Sequence, residues 1–204
     1  YVVPSTQTAQ TALLRSLSRE WEIYRPLTEN KKIVSIYFGG GTPFLLGPSA
    51  IEEILSWISP PADVEITLEA NPEDVTLSTI SPFAKIGINR VSLGVQDFNK
   101  AVQVAVNREQ DNDFIRAMLE RARELGFRST NLDLIYGLPH QTVESFDRTL
   151  DAVLEIAPDR LALYNYAHVP WIAPHQNQIP ADALPSGPVK FQIFRRALER
   201  FLDA

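Results

Sequence analysis

Cysteine is absent from the 204 residues. No disulfide framework can form, and nothing in the composition speaks for secretion. Positive charge is also short: 19 Lys and Arg against 25 Asp and Glu give a formal net charge of −6. A nucleic-acid partner held by a general basic field is therefore excluded, and an anionic ligand must be met by a few placed arginines. No apolar run approaches membrane-spanning length, and Tyr1 opens no signal-peptide pattern. Internal repeats and low-complexity segments are missing, and no strand-loop-helix signature ends in Gly-Lys-Ser/Thr, which rules out a nucleotide P-loop. What remains is a chain that is 45% hydrophobic, enough to bury one good core.

The chain is organised around Ile33-Val34-Ser35-Ile36-Tyr37-Phe38-Gly39-Gly40-Gly41-Thr42-Pro43. A β-rich apolar run reads as a buried strand and then breaks into three glycines. Each glycine weakens regular structure, so three at a strand exit serve positive φ or the close approach of a ligand to bare backbone. A tight strand-to-helix turn is the plainer explanation of the same residues.

Along the chain, 1–4 reads as extended, and Ser5 or Thr6 can cap a helix with Leu13, Leu14, Leu17 and Trp21 on its buried face. A strand over 33–38 follows, then a helix over 49–58 with Ile51, Ile54, Leu55 and Ile58 inward, stopped by Pro60-Pro61. A strand over 64–70 alternates Val64, Ile66, Leu68 and Ala70 against Glu65, Thr67 and Glu69. Pro82 restricts the next helix to a short one beginning at that proline. Strands over 89–96, 129–136 and 160–166 follow, with helices from Asp111 or Asn112 to Gly126, from Thr142, and from Ser186. The last helix would turn Phe191, Phe194, Leu198 and Phe201 inward.

A helix followed by five β-α repeats predicts right-handed crossovers and a parallel sheet. Parallel strands are normally apolar on both faces. Here one face carries Glu65/Thr67/Glu69, Arg90/Ser92/Gln96 and Asn131/Asp133, expensive beneath helices. A curved, barrel-like sheet with a polar lumen reconciles the two. Its C-terminal strand ends would gather Gly39–Thr42, Glu69, Gln96, Asp133 and Tyr166-Ala167-His168 into one site.

Each residue has a bland role. Glu69 and Asp133 can be salt-bridged structural carboxylates, Gln96 a turn cap, Arg108 a surface group and His168 a hydrogen-bonded packing residue. What argues for a site is the recurrence of polar residues at the same end of successive strands. Paired acids suit ribose hydroxyls or an ammonium group, and Gln96, Arg108 and Asp133 suit an amino acid's carboxylate and amine. Together they describe a nucleoside joined to an amino acid, as in S-adenosylmethionine.

Six blocks carry a family resemblance: Gly39-Gly40-Gly41-Thr42-Pro43, Glu69-Ala70-Asn71-Pro72-Glu73, Arg90-Val91-Ser92-Leu93-Gly94-Val95-Gln96-Asp97-Phe98-Asn99, Val106-Asn107-Arg108-Glu109-Gln110, Asn131-Leu132-Asp133-Leu134-Ile135-Tyr136-Gly137-Leu138-Pro139 and Asn165-Tyr166-Ala167-His168-Val169-Pro170. In order and spacing they resemble the oxygen-independent coproporphyrinogen III oxidases, radical-SAM enzymes of haem biosynthesis. The resemblance implies an α/β fold, a partial (β/α)6 TIM-like barrel, of which residues 1–204 hold five β/α units without the first strand. It implies that two propionates of coproporphyrinogen III become vinyl groups, giving protoporphyrinogen IX. The cofactors would be a [4Fe–4S] cluster on a Cys-x3-Cys-x2-Cys loop and two S-adenosylmethionines, one of them the source of a 5′-deoxyadenosyl radical. Gly40 and Glu69 would contact the cluster-bound molecule, and Gly41, Thr42, Gln96, Arg108, Asp133 and Ala167 the second. None acts as general acid or base, because the cofactor carries the chemistry. A cytoplasmic monomer served by an electron-donor protein is implied as well.

The resemblance breaks at the cluster loop, because iron–sulfur clusters need thiolates and this chain has none. Residues 1–204 would then be an internal part of a longer protein, truncated at both ends and inactive alone. Asn177 and Gln178 stand where basic residues are expected, and Pro82 and Pro174 imply local rearrangement. Competing readings are a haem-binding chaperone-like paralogue, a cluster-less S-adenosylmethionine-binding module, and a barrel enzyme using Glu69 and Asp133 as acid and base.

Overall fold

The computed structural model describes residues 6–203; the extended opening over 1–4 and Ser5 lie outside the described residues. In chain order the elements are α1 (Gln7–Thr28), β1 (Ser35–Phe38), α2 (Pro48–Ile58), β2 (Glu65–Ala70), α3 (Ser81–Lys85), β3 (Arg90–Gln96), α4 (Lys100–Ala105), α5 (Asn112–Glu124), β4 (Ser129–Tyr136), α6 (Val143–Ile156), β5 (Arg160–Asn165) and α7 (Gly187–Leu202). Short 3-10 turns occupy Pro43–Leu46, Pro174–Gln178 and Ala181–Ala183. The strands stand in chain order in one sheet, and β1–β2 and β4–β5 pair in parallel. The expected α/β alternation is therefore present. Among the described residues no helix is long and apolar enough to cross a membrane.

The chain divides into two units, one running to Ser92 and taking in Arg121–Ser129, the other comprising Leu93–Glu120 and Thr130 onward. In the first, Thr6 accepts the Ala9 amide at 3.2 Å and starts α1 as expected. The expected buried face of α1 is not sealed. Leu14, Leu17 and Trp21 are half-buried and Leu13 is 45% exposed. The reason is an apolar cavity of about 940 Å3 between α1, β1 and α2, lined by Leu13, Leu17, Trp21, Ile36, Phe38 and Ile54 among others. Trp21 nevertheless ties α1 to α2 by donating its indole N–H to the Trp57 carbonyl at 3.1 Å.

β1 is shorter than the expected 33–38 and is not buried: Val34 is 67% and Tyr37 55% exposed, because β1 ends the sheet. β2 behaves as expected, with Val64, Ile66, Leu68 and Ala70 buried. Thr67 on its other face is buried too, as a parallel strand requires. β2 begins at Glu65 rather than Val64, and β3 at Arg90 rather than Asn89. The Asn89 side chain explains both shifts: it accepts the Ile66 amide and donates to the Val64 carbonyl, standing in for a strand rung. Pro82 lies in the first turn of α3, where a missing N–H costs nothing.

In the second unit, a reciprocal capping box of Thr142 and Ser145 starts α6, which buries Phe146, Leu150, Val153 and Ile156. β5 ends at Asn165, one residue before the expected Tyr166. Ser186 precedes α7 without making a capping bond. The inward face expected for α7 is corrected. Phe191 is 64%, Phe194 38% and Leu198 47% exposed, Phe201 is half-buried, and the buried residues are Ile193 and Ala197. Charge pairing fixes this rotation of α7 on α6. Arg196 and Arg200 both donate to Asp147, and Arg200 also donates to Asp151 at 2.6 Å.

The arginines hold the Asp147 carboxyl below the usual aspartate range, chiefly through the Arg196 hydrogen bond. A depressed pKa contributes stability that is present above the ordinary value and lost as pH falls through the folded one. Asp147→Asn should therefore cost about 0.5–1 kcal/mol at pH 7 and flatten the stability loss on acidification below the usual aspartate range. Urea melts at pH 7 and in acid check this.

Candidate functional site

In the first unit the candidate residues stand at the exit of β1. Parallel register sets Phe38 beside Leu68, which brings the glycine turn to Glu69. Gly40 and Gly41 adopt φ +83° and +66°, the left-handed region that a side chain disfavours. A Cβ at either would meet nothing within 4 Å, whereas one at Gly39 would lie 2.6 Å from the Tyr37 ring. Gly39 therefore serves packing, and Gly40 and Gly41 serve backbone conformation with an open surface above them. Glu69 holds the turn with both oxygens. Oε2 accepts the Gly40 amide at 3.0 Å and Oε1 accepts the Tyr37 hydroxyl at 2.7 Å. Behind it Pro43 and Phe44 are buried, with Phe44 stacked on Phe83 at 4.6 Å between centroids. Thr42 accepts the Leu45 amide through its carbonyl.

In the second unit the candidate residues begin at the exit of β3. Gln96 is a non-glycine residue at φ +69°, and the Asp97 amide donates to the Val95 carbonyl at 2.9 Å across it. A positive φ under an i→i+2 bond marks the classic γ-turn, the rare and strained form. Such strain costs of order 1–3 kcal/mol and persists only where neighbours enforce it. The enforcement is dense. Arg108 donates to the Gly94 carbonyl at 2.8 Å, Gln110 to that of Val95, and Gln103 and Gln110 to that of Asp97. The Gln110 Oε1 atom is itself buried with no partner among the described residues.

Asp133, on β4, accepts the Asn131 side-chain amide at 2.7 Å. Past β5, Gln176 brackets Ala167, donating to its carbonyl at 3.1 Å while accepting the Val169 amide at 2.6 Å. His168 meets the Tyr166 hydroxyl at 3.3 Å, which is the packing role expected of it. Pro174 and Asn177 belong to the 3-10 turn that carries Gln176, with Asn177 donating to the Pro174 carbonyl.

Within the first unit, then, Gly40, Gly41 and Glu69 are brought together, with Thr42 next in the turn. Within the second, Arg108 reaches the strand end that presents Gln96. The residues that sequence reasoning passed over are the supports: Tyr37, Asp97, Gln103, Gln110, Gln141 and Gln176. Apart from Tyr37 each binds backbone through its side chain, and a lone Gln or Asp in a loop gives no periodic signal. Among the described residues no group of three or more His, Cys, Asp and Glu could hold a metal ion.

A profile described as the radical SAM superfamily matches residues 13–153. The chain is 42% identical over 201 residues to the oxygen-independent coproporphyrinogen III oxidase of Escherichia coli K12, covering 97% of this chain and 44% of that protein. It is 42% identical over 198 residues to the Pseudomonas aeruginosa protein of the same name, covering 94% and 43%. The chain thus spans less than half the length of these curated relatives. A solved structure of the E. coli coproporphyrinogen III oxidase, described as a radical SAM enzyme, superposes with a TM-score of 0.90 at 41% identity, covering 99% of this chain and 48% of that one. The archaeal Elp3 of Methanocaldococcus infernus shares the fold alone, with a TM-score of 0.66 at 14% identity. The resemblance and the barrel-type α/β fold expected from the motif blocks both hold.

Glu69→Ala should leave the Gly40 amide and the Tyr37 hydroxyl without their acceptor. The expected cost is about 1–3 kcal/mol, read from urea unfolding, with faster hydrogen exchange at the Gly40 amide. Unchanged exchange there would show that the turn holds its shape without the carboxylate.

Proposed function

The chain belongs to the radical SAM superfamily, and on that footing we propose that its full-length protein is an oxygen-independent coproporphyrinogen III oxidase. The reaction would convert two propionates of coproporphyrinogen III to vinyl groups, giving protoporphyrinogen IX. The observation that carries the reading is 42% identity over 97% of the chain. Superfamily membership implies S-adenosylmethionine and a [4Fe–4S] cluster. The cluster does not fit this stretch, which contains no thiolate donor, and no residue here is assigned to it.

S-adenosylmethionine fits better, because Gly40 and Gly41 present backbone over which no side chain stands. Glu69, fixed by two donors, has lone pairs left for a further hydrogen bond. Gly40 and Glu69 are assigned to one S-adenosylmethionine. On the resemblance, Gly41, Thr42, Gln96, Arg108, Asp133 and Ala167 are assigned to a second. In these roles Arg108 binds a carboxylate, Asp133 an ammonium group, and the backbone at Ala167 an edge of the ligand. When bound, the cofactor supplies the oxidising equivalent: per ring, a propionate and S-adenosylmethionine yield a vinyl group, CO2, methionine and 5′-deoxyadenosine. The protein's part is to orient the two reactants and exclude water. A cytoplasmic monomer fed by an electron-donor protein completes the reading.

Anaerobic reconstitution of the full-length protein with iron, sulfide, S-adenosylmethionine and coproporphyrinogen III is the test. Two vinyl groups per porphyrinogen, with 5′-deoxyadenosine and methionine, are expected. Stable haem binding without either product would overturn the reading in favour of a chaperone-like protein.

A further inference from the structure

The second unit contains a buried carboxylate that the proposed reaction leaves unused. Asp97 is 1% exposed and directly follows Gln96. Its Oδ1 accepts the Asn99 amide at 2.8 Å and the Thr149 hydroxyl at 2.5 Å, and its Oδ2 accepts the Gln141 amide at 2.6 Å. Gln141 and Thr149 are themselves 3% and 1% exposed. Gln141 cannot turn its amide around. Its Oε1 accepts the Gly137 and Leu138 amides at 2.6 and 2.9 Å, and its Nε2 also donates to the Ile135 carbonyl at 2.9 Å. One carboxylate thus joins the exit of β3 to the exit turn of β4 and to α6.

From this geometry we infer that Asp97 is a positioning residue. It holds the strained turn at Gln96 so that the Gln96 side chain and the β4 exit are preset for the ligand. The inference rests on the proposed assignment of Gln96 to S-adenosylmethionine. Burial pushes the Asp97 carboxyl above its usual range despite hydrogen bonds from Thr149, Asn99, Gln141 and the Phe98 backbone that pull it down, and a neutral residue would avoid that cost. What the carboxylate provides is acceptors only. The Asn99 amide and the locked Gln141 amide are donors with no other way to face, the Thr149 hydroxyl donates beside them, and the Asp97 backbone is gripped as well, by Gln103 and Gln110 at its carbonyl. The turn at Gln96 is therefore fixed before any ligand arrives.

The Asp97–Gln141 pair makes this testable by exchange. In Asp97→Asn the new amide faces the Gln141 amide, donor against donor. Adding Gln141→Glu restores a donor–acceptor pair between the two side chains, and the glutamate can still accept from Gly137 and Leu138, but its second oxygen then faces the Ile135 carbonyl that the Gln141 amide serves. The full-length protein and its variants are compared by equilibrium dialysis of labelled S-adenosylmethionine and by hydrogen exchange at the amide of residue 97. Thermal melting controls for folding. Asp97→Asn is expected to weaken binding tenfold or more and to speed exchange at residue 97. The double variant should recover part of both losses, held short of full recovery by the oxygen set against the Ile135 carbonyl. Thr149→Val, which removes one donor and keeps the side-chain volume, should weaken binding a few-fold if Asp97→Asn does not fold. Wild-type affinity and wild-type exchange in a folded Asp97→Asn or Thr149→Val protein would overturn the inference. If the wild-type protein bound no S-adenosylmethionine while exchange at residue 97 still followed the carboxylate, the assignment of the ligand would fail and the positioning of the turn would stand.

Discussion

Two carboxylates hold backbone where backbone does not choose to be. At the exit of β1, Glu69 accepts from Gly40 and Tyr37 and so fixes a turn with two successive positive-φ glycines. At the exit of β3, Asp97 anchors a turn in which glutamine itself carries positive φ. Without these acceptors the amides would have to be met by water, and the strand exits would relax toward ordinary extended or helical geometry. The regular part of the fold supplies the frame on which they stand. Parallel pairing places Glu69 beside the glycine turn, and the capping box of α6 sets the helix that carries Thr149.

The two exits differ in what they leave open. The β1 exit pairs bare backbone with a carboxylate that is half-buried, a combination suited to hydroxyl and ammonium groups. The β3 exit leaves little backbone unused, since the carbonyls of Gly94, Val95 and Asp97 are each taken by a side chain from the 103–110 segment. There the surrounding bonds hold the backbone that carries Gln96. This division suits a cofactor that must be oriented rather than activated, because the hard chemistry belongs to the cofactor.

Much of this was legible in the residues. Alternation at Val64–Ala70 and along β4, the glycine turn, the caps at Thr6 and Thr142, and the effect of Pro82 on α3 all follow from local rules. The helix faces were less legible. A stripe of large apolar residues on α7 predicts burial, yet two arginines that pair with α6 turn Ile193 and Ala197 inward instead. On α1 the apolar spacing is right, but the face borders a cavity rather than a packed neighbour. Periodicity says that a face is apolar, not what covers it. The supports of the site were hidden for a different reason. Asp97 and Gln141 stand 44 residues apart, and neither belongs to a pattern that local spacing reveals.

On this reading the protein, not its ligand, builds the turn at Gln96. The backbone φ of Gln96 in the ligand-free full-length protein, from NMR scalar couplings and backbone shifts, is the direct check. Positive φ is expected before S-adenosylmethionine is added, with no change on its addition. An extended Gln96 that turns left-handed only with ligand bound would contradict it.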